Sequence, residues 1–180
     1  MKPEVKVVNI VATGKIGEDV DLKKIARELK NTRYNPKTFP GLALSIDNPS
    51  AVLLIFKSGK IVCTGTKCIE DVKKAVNIAI EKLKSIGIDA KVEYVKVQNI
   101  VAYVELGIEL NLNAIALAFL ENVEYEPEQF PGLFYRLEDP KAVILVFSSG
   151  KIIIAGCKTI EDIERAVENF CNELAVFGFL

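Results

Sequence analysis

Histidine and tryptophan are absent from this chain of 180 residues, and methionine occurs only once. Without histidine, neither a Ser-His-Asp triad nor a Cys-His pair can form. The four cysteines, Cys63, Cys68, Cys157 and Cys171, form no Cys-x-x-Cys pair. A zinc site is therefore not expected, and we predict reduced, buried thiols that act as small hydrophobes. No metal and no other cofactor is expected.

Long apolar runs are also missing, since charged residues interrupt every stretch before the roughly 18 residues of a membrane span. The start of the chain, MKPEVKVV, lacks the apolar segment of a signal peptide. Half of the residues are hydrophobic and 26% are charged, which is typical of a globular protein. These features predict an intracellular protein without a membrane partner.

The net charge of −1 hides an uneven distribution. Residues 1–90 carry 16 Lys and Arg against 10 Asp and Glu, a balance of +6. Residues 91–180 carry 7 against 14, a balance of −7. The overall balance argues weakly against a generic nucleic-acid binder. The split predicts that the two halves face different partners, or different ends of one partner.

The two halves nevertheless share one sequence pattern. Residues 34–76 and 125–167 align at an offset of 91, with 22 of 43 positions identical. Residues 7–12 and 97–102 align at an offset of 90, so one residue was gained or lost between these segments. We therefore predict two repeats, 1–90 and 91–180, joined in one continuous body. Such a duplication indicates pseudo-two-fold symmetry, which suits a two-fold ligand.

Each repeat has the pattern of a strand, a short helix, a series of short strands with tight turns, and a long amphipathic helix. Predicted helices cover 21–30, 69–86, 111–120 and 160–174, and predicted strands cover 4–12, 42–46, 51–56, 61–65, 95–103, 133–137, 142–147 and 152–155, with a further one near Glu124. The short glycine turns indicate an antiparallel sheet and an α+β fold.

The strands are apolar on both faces, although two helices per repeat can cover only one. A large exposed apolar face marks a binding site, and the alternative is a dimer that buries these faces. Asn9 and Asn99 occupy the same place in the two repeats. A lone asparagine in an apolar strand is costly unless it is satisfied. It indicates either a polar ligand or a structural bond to a neighbouring strand.

Taken together, the motifs QNIVA, YxPxxFPGL and FxSGKI resemble the TATA-box-binding protein family in its archaeal form, and the last two occur twice. The resemblance covers nearly the whole chain. It implies a saddle, with a curved antiparallel sheet of about ten strands and four helices on the convex face. The concave face would sit on the minor groove of TATA-like promoter DNA and kink it.

The resemblance also implies roles for particular residues. The DNA wedges would be Phe39, Phe56, Phe130 and Phe147; the base contacts would be Asn9, Val11, Val62, Thr64, Asn99, Val101 and Ile153; the phosphate contacts would be Lys60, Lys67, Arg136, Lys151 and Lys158. Taken singly, each phenylalanine could instead belong to the core. Glu126 and Glu128 would bind transcription factor B.

Three positions depart from the family pattern. Ala155 stands where the first repeat has Thr64, Ser45 stands where the second repeat has Arg136, and Val8 replaces the glutamine expected before Asn9. These departures predict unequal contacts with the two halves of a DNA element.

The implied function is that of a general transcription initiation factor without enzymatic activity. It would recruit transcription factor B and RNA polymerase. A homodimer of the protein in the absence of DNA also stays open. The factor would work in the archaeal cytoplasm on the nucleoid, or in the nucleus of a eukaryote. Two alternatives stay open: a protein adaptor that has lost TATA binding, and an enzyme or small-ligand binder. Against an enzyme, Ser58-Gly59-Lys60 lacks the upstream glycine of a phosphate-binding loop.

Overall fold

A computed structural model describes residues 3–180, which form ten strands and four helices. In chain order they are β1 (Lys6–Lys15), α1 (Leu22–Glu28), β2 (Thr32–Arg33), β3 (Leu42–Asp47), β4 (Ser50–Ile55), β5 (Lys60–Thr66), α2 (Ile69–Ser85), β6 (Tyr94–Glu105), α3 (Leu112–Ala118), β7 (Val123–Glu124), β8 (Leu133–Glu138), β9 (Lys141–Val146), β10 (Lys151–Cys157) and α4 (Ile160–Val176). The α+β class with ten strands and four helices is confirmed.

The chain folds into two compact units. The first unit comprises residues 9–98, and the second comprises residues 99–180 with the chain up to Val8. The boundary between repeats 1–90 and 91–180 stays a prediction. Residues 1 and 2 of the first predicted repeat lie outside the described part of the chain. The strand order is β2-β3-β4-β5-β1 in the first unit and β6-β10-β9-β8-β7 in the second. All these neighbours are antiparallel.

Three of the four helices begin at a polar residue that satisfies a free backbone N–H. Asp21 Oδ1 accepts from Lys24 N at 3.1 Å, and Asn111 Oδ1 accepts from Ala114 N at 3.1 Å. Thr159 Oγ1 accepts from Asp162 N at 3.1 Å. These bonds replace the intrahelical partners that the first turn lacks.

The short helices are shorter than predicted. Instead of residues 21–30 and 111–120, they span Leu22–Glu28 and Leu112–Ala118. Each ends where a large residue, Leu29 or Phe119, leaves the helical conformation while its N–H still bonds one turn back. The two-residue strand β2 was not predicted, because two residues are too few to show an alternating pattern.

The single insertion between the repeats lies directly after these short helices. Leu29 and Phe119 occupy equivalent positions at an offset of 90. In the next loop, Asn31 O accepts from Ser45 N, and Asn122 O accepts from Arg136 N, which is an offset of 91. The extra residue of the second repeat therefore lies between Phe119 and Asn122.

Each unit has a core between its sheet and its long helix. Helix α2 packs on β3, β4 and β5, and α4 packs on β9 and β10. Alternate strand residues face the helices and are buried, among them Leu42, Leu44, Leu53, Ile55 and Ile61 in the first unit and Leu133, Ile144, Val146, Ile152 and Ile154 in the second. At the equivalent positions Ala79 and Phe170 the second unit has the larger side chain. Phe170 is completely buried, and its ring centroid lies 5.0 Å from that of Tyr135.

Burial of the thiols is confirmed for two of the four cysteines. Cys63 and Cys157 are buried, and Cys171 is half-buried. Burial raises the pKa of the Cys63 thiol to about 11, so that it stays protonated near neutral pH. The prediction is wrong for Cys68, which is exposed because it lies at the N-cap of α2, where the chain leaves the sheet. Among residues 3–180, the helices are too short or too polar to cross a membrane.

We expect the Phe170→Ala substitution to lower the free energy of unfolding by about 3–5 kcal/mol, because it leaves a cavity under Tyr135. Val176→Ala serves as the control, since Val176 is 80% exposed in the same helix. It should change stability by less than about 0.5 kcal/mol. Urea denaturation, monitored by circular dichroism, measures the free energy of unfolding of both variants. Equal stability of the two variants would contradict this view of the core.

Candidate nucleic-acid interface

The face of each sheet opposite its long helix, here called the outer face, carries the strand side chains that the helix does not bury. Strand residues on this face alternate with buried ones and are half-buried at most, as Val52 and Leu54 show in β4. In β1, Val11 lies between the buried residues Ile10 and Ala12. The outer face is therefore apolar and accessible, as the sequence predicts.

Strand pairing joins outer-face residues into rows that cross each unit. In the first unit one row runs Arg33–Ala43–Leu54–Val62–Thr13, and in the second the equivalent row runs Glu124–Phe134–Leu145–Ile153–Tyr103. We call them the first and second outer rows. Adjacent rows run Ser45–Val52–Thr64 and Arg136–Val143–Ala155. The predicted base contacts Val62, Thr64 and Ile153 all lie in these rows.

Asn9 is held by a β-bulge in the neighbouring strand. Two residues of β5, Thr64 and Gly65, lie opposite Val11, and Gly65 has a φ of +94°. This conformation favours glycine, and it lets the Gly65 N–H donate to Asn9 Oδ1 at 2.8 Å. An N–H group can only donate, so the amide oxygen must face it. The amide nitrogen Nδ2 therefore remains the donor and approaches Thr64 Oγ1 at 3.2 Å.

Asn99 repeats this arrangement in the second unit. Gly156, with a φ of +98°, donates its N–H to Asn99 Oδ1 at 2.7 Å. The position of Thr64 is taken here by Ala155, which has no hydroxyl group for the amide. The structural bond to a neighbouring strand, one of the two alternatives for these asparagines, exists in both units. In the second unit it uses only the oxygen of Asn99. In the first unit Asn9 Nδ2 also donates to Thr64 Oγ1, which leaves its second N–H for a ligand.

The four predicted wedge residues form two pairs of rings. Phe39 and Phe56 lie with ring centroids 5.8 Å apart, and Phe130 and Phe147 lie 6.1 Å apart, both edge to face. Phe39 and Phe130 are 45% and 40% exposed. Large aromatic rings with this exposure are not core residues, and each pair presents an apolar edge to solvent.

The glycine of each Phe-Pro-Gly-Leu motif makes room for these rings. A Cβ atom at Gly132 would lie 2.8 Å from Cε2 of Phe130 and 3.1 Å from Cε1 of Phe147. At Gly41 it would lie 2.7 Å from Cε2 of Phe39. The absence of a side chain at both glycines is therefore what allows the rings to meet.

The predicted phosphate contacts are exposed cations around the outer faces. They are Lys60, Lys67, Arg136, Lys151 and Lys158. Lys151 Nζ lies 4.8 Å from the ring centre of Tyr103, and Arg136 Nη2 lies 3.7 Å from Glu124 Oε2. Both contacts are solvent-exposed and weak, so neither prevents these groups from binding an anion.

The loops that carry the outer phenylalanines share one turn but differ in charge. Asn35 O accepts from the N–H groups of Thr38 and Phe39, and Glu126 O accepts in the same way from Gln129 and Phe130. Glu126 and Glu128 are exposed on the second loop. The backbone is thus conserved between the repeats while the charge is reversed, because the first loop carries Arg33 and Lys37.

Several outer-face residues were missed by the sequence analysis. Apolar and aromatic members of the rows that the prediction omitted are Ala43, Val52, Leu54, Tyr103, Phe134, Val143 and Leu145. The period-two alternation with buried residues identifies those in β3, β4, β8 and β9, but the prediction applied this alternation only to β1, β5, β6 and β10. Gln98 Nε2 donates to Thr13 Oγ1 at 3.0 Å, a contact between residues 85 positions apart that no local pattern reveals.

No group of three His, Cys, Asp or Glu residues within residues 3–180 could hold a metal ion. Each outer face offers apolar rows, one oriented amide and exposed cations. This combination suits the minor groove of A·T pairs, whose base edges present acceptors. It is unfavourable for G·C pairs, which add the donor N2 of guanine to the groove.

Comparison with known proteins supports this interpretation. The family model "Transcription factor TFIID (or TATA-binding protein, TBP)" matches residues 4–86 and 94–177. The TATA-box-binding protein of Archaeoglobus fulgidus is 52% identical over 179 residues, which is 98% of each chain. That of Methanocaldococcus jannaschii is 49% identical over 175 residues, covering 97% of this chain and 95% of the relative.

The likeness extends to three dimensions. A solved structure described as Methanococcus jannaschii TBP superimposes with a TM-score of 0.86 at 49% identity, covering 94% of this chain and 97% of that one. One matched segment of the family model falls on each of the two repeats of the sequence. The chain therefore belongs to the TATA-box-binding protein family of general transcription factors, which are non-enzymatic, and the two relatives named above are archaeal.

Proposed function

We propose that this chain binds TATA-type promoter DNA through the outer faces of its two units, enters the minor groove and kinks the duplex. The proposal is supported by the oriented amides of Asn9 and Asn99, which carry it above all. Each amide has its oxygen bound by a glycine N–H, so that it presents only N–H donors. Donors match adenine N3 and thymine O2, the acceptors of the minor groove.

The phenylalanine pairs act as wedges in this proposal. Phe39 with Phe56 and Phe130 with Phe147 enter base steps at the two ends of the element, where they unstack the bases and kink the DNA. Unstacking costs a few kcal/mol per step, and flexible pyrimidine–purine steps lower that cost. The apolar rows between the wedges, with Val62 and Ile153, press on the widened groove. Val11 and Val101 do so beside the asparagines.

Phosphate contacts position the chain without reading sequence. We assign them to Lys60, Lys67, Arg136, Lys151 and Lys158, all of which are exposed. The ion pair of Arg136 with Glu124 has to open for this contact. Ser45 occupies the equivalent position in the first repeat and provides no charge, so the contacts to the two half-sites are unequal.

A nearly symmetric protein needs a partner that reads one end to define the direction of transcription. We propose that transcription factor B binds the acidic loop of the second repeat through Glu126 and Glu128, and that the complex recruits RNA polymerase. The support is the charge difference between the loops, since the first repeat carries Lys37 where the second carries Glu128. Complementary charge contributes mainly specificity and association rate.

Two further proposals follow from DNA binding. The chain works where promoter DNA is found, which in an archaeal cell is the cytoplasm with its nucleoid. Without DNA, the apolar outer faces can pair in a homodimer, because exposed apolar surface of this kind favours association.

The test of the function is energy transfer between dyes on the two ends of a short duplex. Purified protein is titrated onto a duplex with a TATA-like element and onto one with G·C substitutions, with and without transcription factor B. We expect saturable bending of the TATA duplex only. Bending that needs factor B indicates a weak binder; no bending by folded protein would instead favour an adaptor that binds proteins alone.

In the same assay, Phe147→Ala should weaken bending, since it removes one ring of a wedge. The expected loss is roughly 1–3 kcal/mol of binding free energy, as when an aromatic ring that stacks on a base is removed. Gly132→Ala should act similarly without deleting a ring, because its Cβ displaces the ring of Phe130.

Gly17→Ala is the matched control for the glycine variant. A Cβ atom at Gly17 meets only Asp89 O, at an ordinary 3.7 Å. This variant should bend DNA as the unmodified chain does. If Gly132→Ala and Phe147→Ala also bend DNA normally while folded, the wedge assignment is wrong.

Glu128→Lys should leave DNA bending intact and weaken the recruitment of transcription factor B at least roughly tenfold, because it places like charges in contact. Lys37→Glu changes the equivalent position of the first repeat and should spare recruitment. A mobility-shift titration with factor B measures both. Equal loss of DNA binding and recruitment in Glu128→Lys would contradict separate roles for the two surfaces.

A further inference from the structure

The two outer rows differ most in side-chain size at one position. The first row has Ala43 where the second has Phe134, while the next residues in the rows, Leu54 and Leu145, are the same. Phe134 is half-buried on β8 between the buried residues Leu133 and Tyr135, so it is not part of the helix-facing core. A large aromatic ring is thus placed on the outer face of one repeat only.

Phe134 enlarges the wedge beside it. Its ring centroid lies 5.7 Å from that of Phe130, with the planes inclined by 32°. Phe130 in turn contacts Phe147, so the second unit has three adjacent rings. The first unit has two, Phe39 and Phe56. Both wedges have the same glycine support, and the number of rings is what distinguishes them.

The second row is also larger at two other positions. Tyr103 stands where the first row has Thr13, and Ile153 stands where it has Val62. The second row therefore carries the larger side chain at three of its five positions.

We propose that Phe134 is a specificity-determining residue, which makes the second repeat discriminate more strongly than the first between flexible and stiff base steps. This inference rests on the proposed binding in the minor groove. A third ring requires the bases at that end to separate further. The cost of that deformation depends on the step, since pyrimidine–purine steps unstack easily and A-tracts are stiff.

The proposal has a consequence for orientation on the DNA. An element that is flexible at one end and stiff at the other is bound with Phe134 at the flexible end. The two orientations of the chain are then unequal before any partner binds. Differential deformation cost thus selects an orientation without a base-specific hydrogen bond.

The experiment uses a palindromic duplex with a flexible step at each end of the element, and two derivatives in which one end or both ends are made stiff. The three duplexes are titrated with the unmodified chain, with Phe134→Ala, and with Ala43→Phe as the reciprocal variant. Affinity is measured at one salt concentration, because phosphate contacts make it salt-dependent. Circular dichroism verifies that each variant is folded.

For the unmodified chain, stiffening one end should cost only about twofold, because one of two equivalent orientations remains available. Stiffening the second end should cost a further fivefold or more, roughly the effect of one unfavourable base pair. In Phe134→Ala the two steps should cost about the same. In Ala43→Phe the first stiff end should already cost about tenfold, the product of the two losses of the unmodified chain, since both orientations place three rings against it.

A folded Phe134→Ala variant that bends the palindromic duplex and keeps the unequal losses of the unmodified chain would overturn this inference. Should Ala43→Phe fail to fold, Phe134→Ala decides alone, because it shortens a residue outside the core. If the unmodified chain does not bend the palindromic duplex, the proposed function itself fails, and that result is distinct from an unchanged pattern of losses.

Discussion

Every longer strand in both units carries apolar side chains on its two faces, and the long helices α2 and α4 cover only one of them. Burial against the helices stabilises each unit, while the outer face keeps apolar surface in contact with water. Such a surface is costly for a monomer and is retained where it serves binding. The other features of the interface lie on or around this face. They are the amides, the ring pairs and the cations.

Two glycines in each unit adapt the sheet to this use, for different physical reasons. Gly65 and Gly156 adopt a positive φ, which turns their N–H groups toward Asn9 and Asn99 and orients the amides. Gly41 and Gly132 matter because they lack a side chain, which leaves space for two rings to meet. A repeated motif in the sequence thus corresponds to a repeated steric requirement.

The repeats are alike in backbone and unlike in side chains. The loops before β3 and β8 share a turn but reverse in charge, and the outer rows share Leu54 and Leu145 but differ at Ala43 and Phe134. Duplication preserved the positions that shape the sheet, because a change there disturbs packing. Positions exposed on the outer face and in the loops were free to diverge, and they are where a symmetric fold can acquire a direction.

Much of this protein could be predicted from the sequence, because repetition and period-two alternation are local signals. They predicted nine of the ten strands, the paired asparagines and the paired phenylalanines, and the helical period predicted the four helices. Other features depend on residues far apart in the chain and were decided by tertiary structure: the bulge glycines that orient Asn9 and Asn99, the exposure of Cys68, and the contact of Phe134 with Phe130. Strand register determines which side chains become neighbours, and register is fixed only when the sheet packs against its helix.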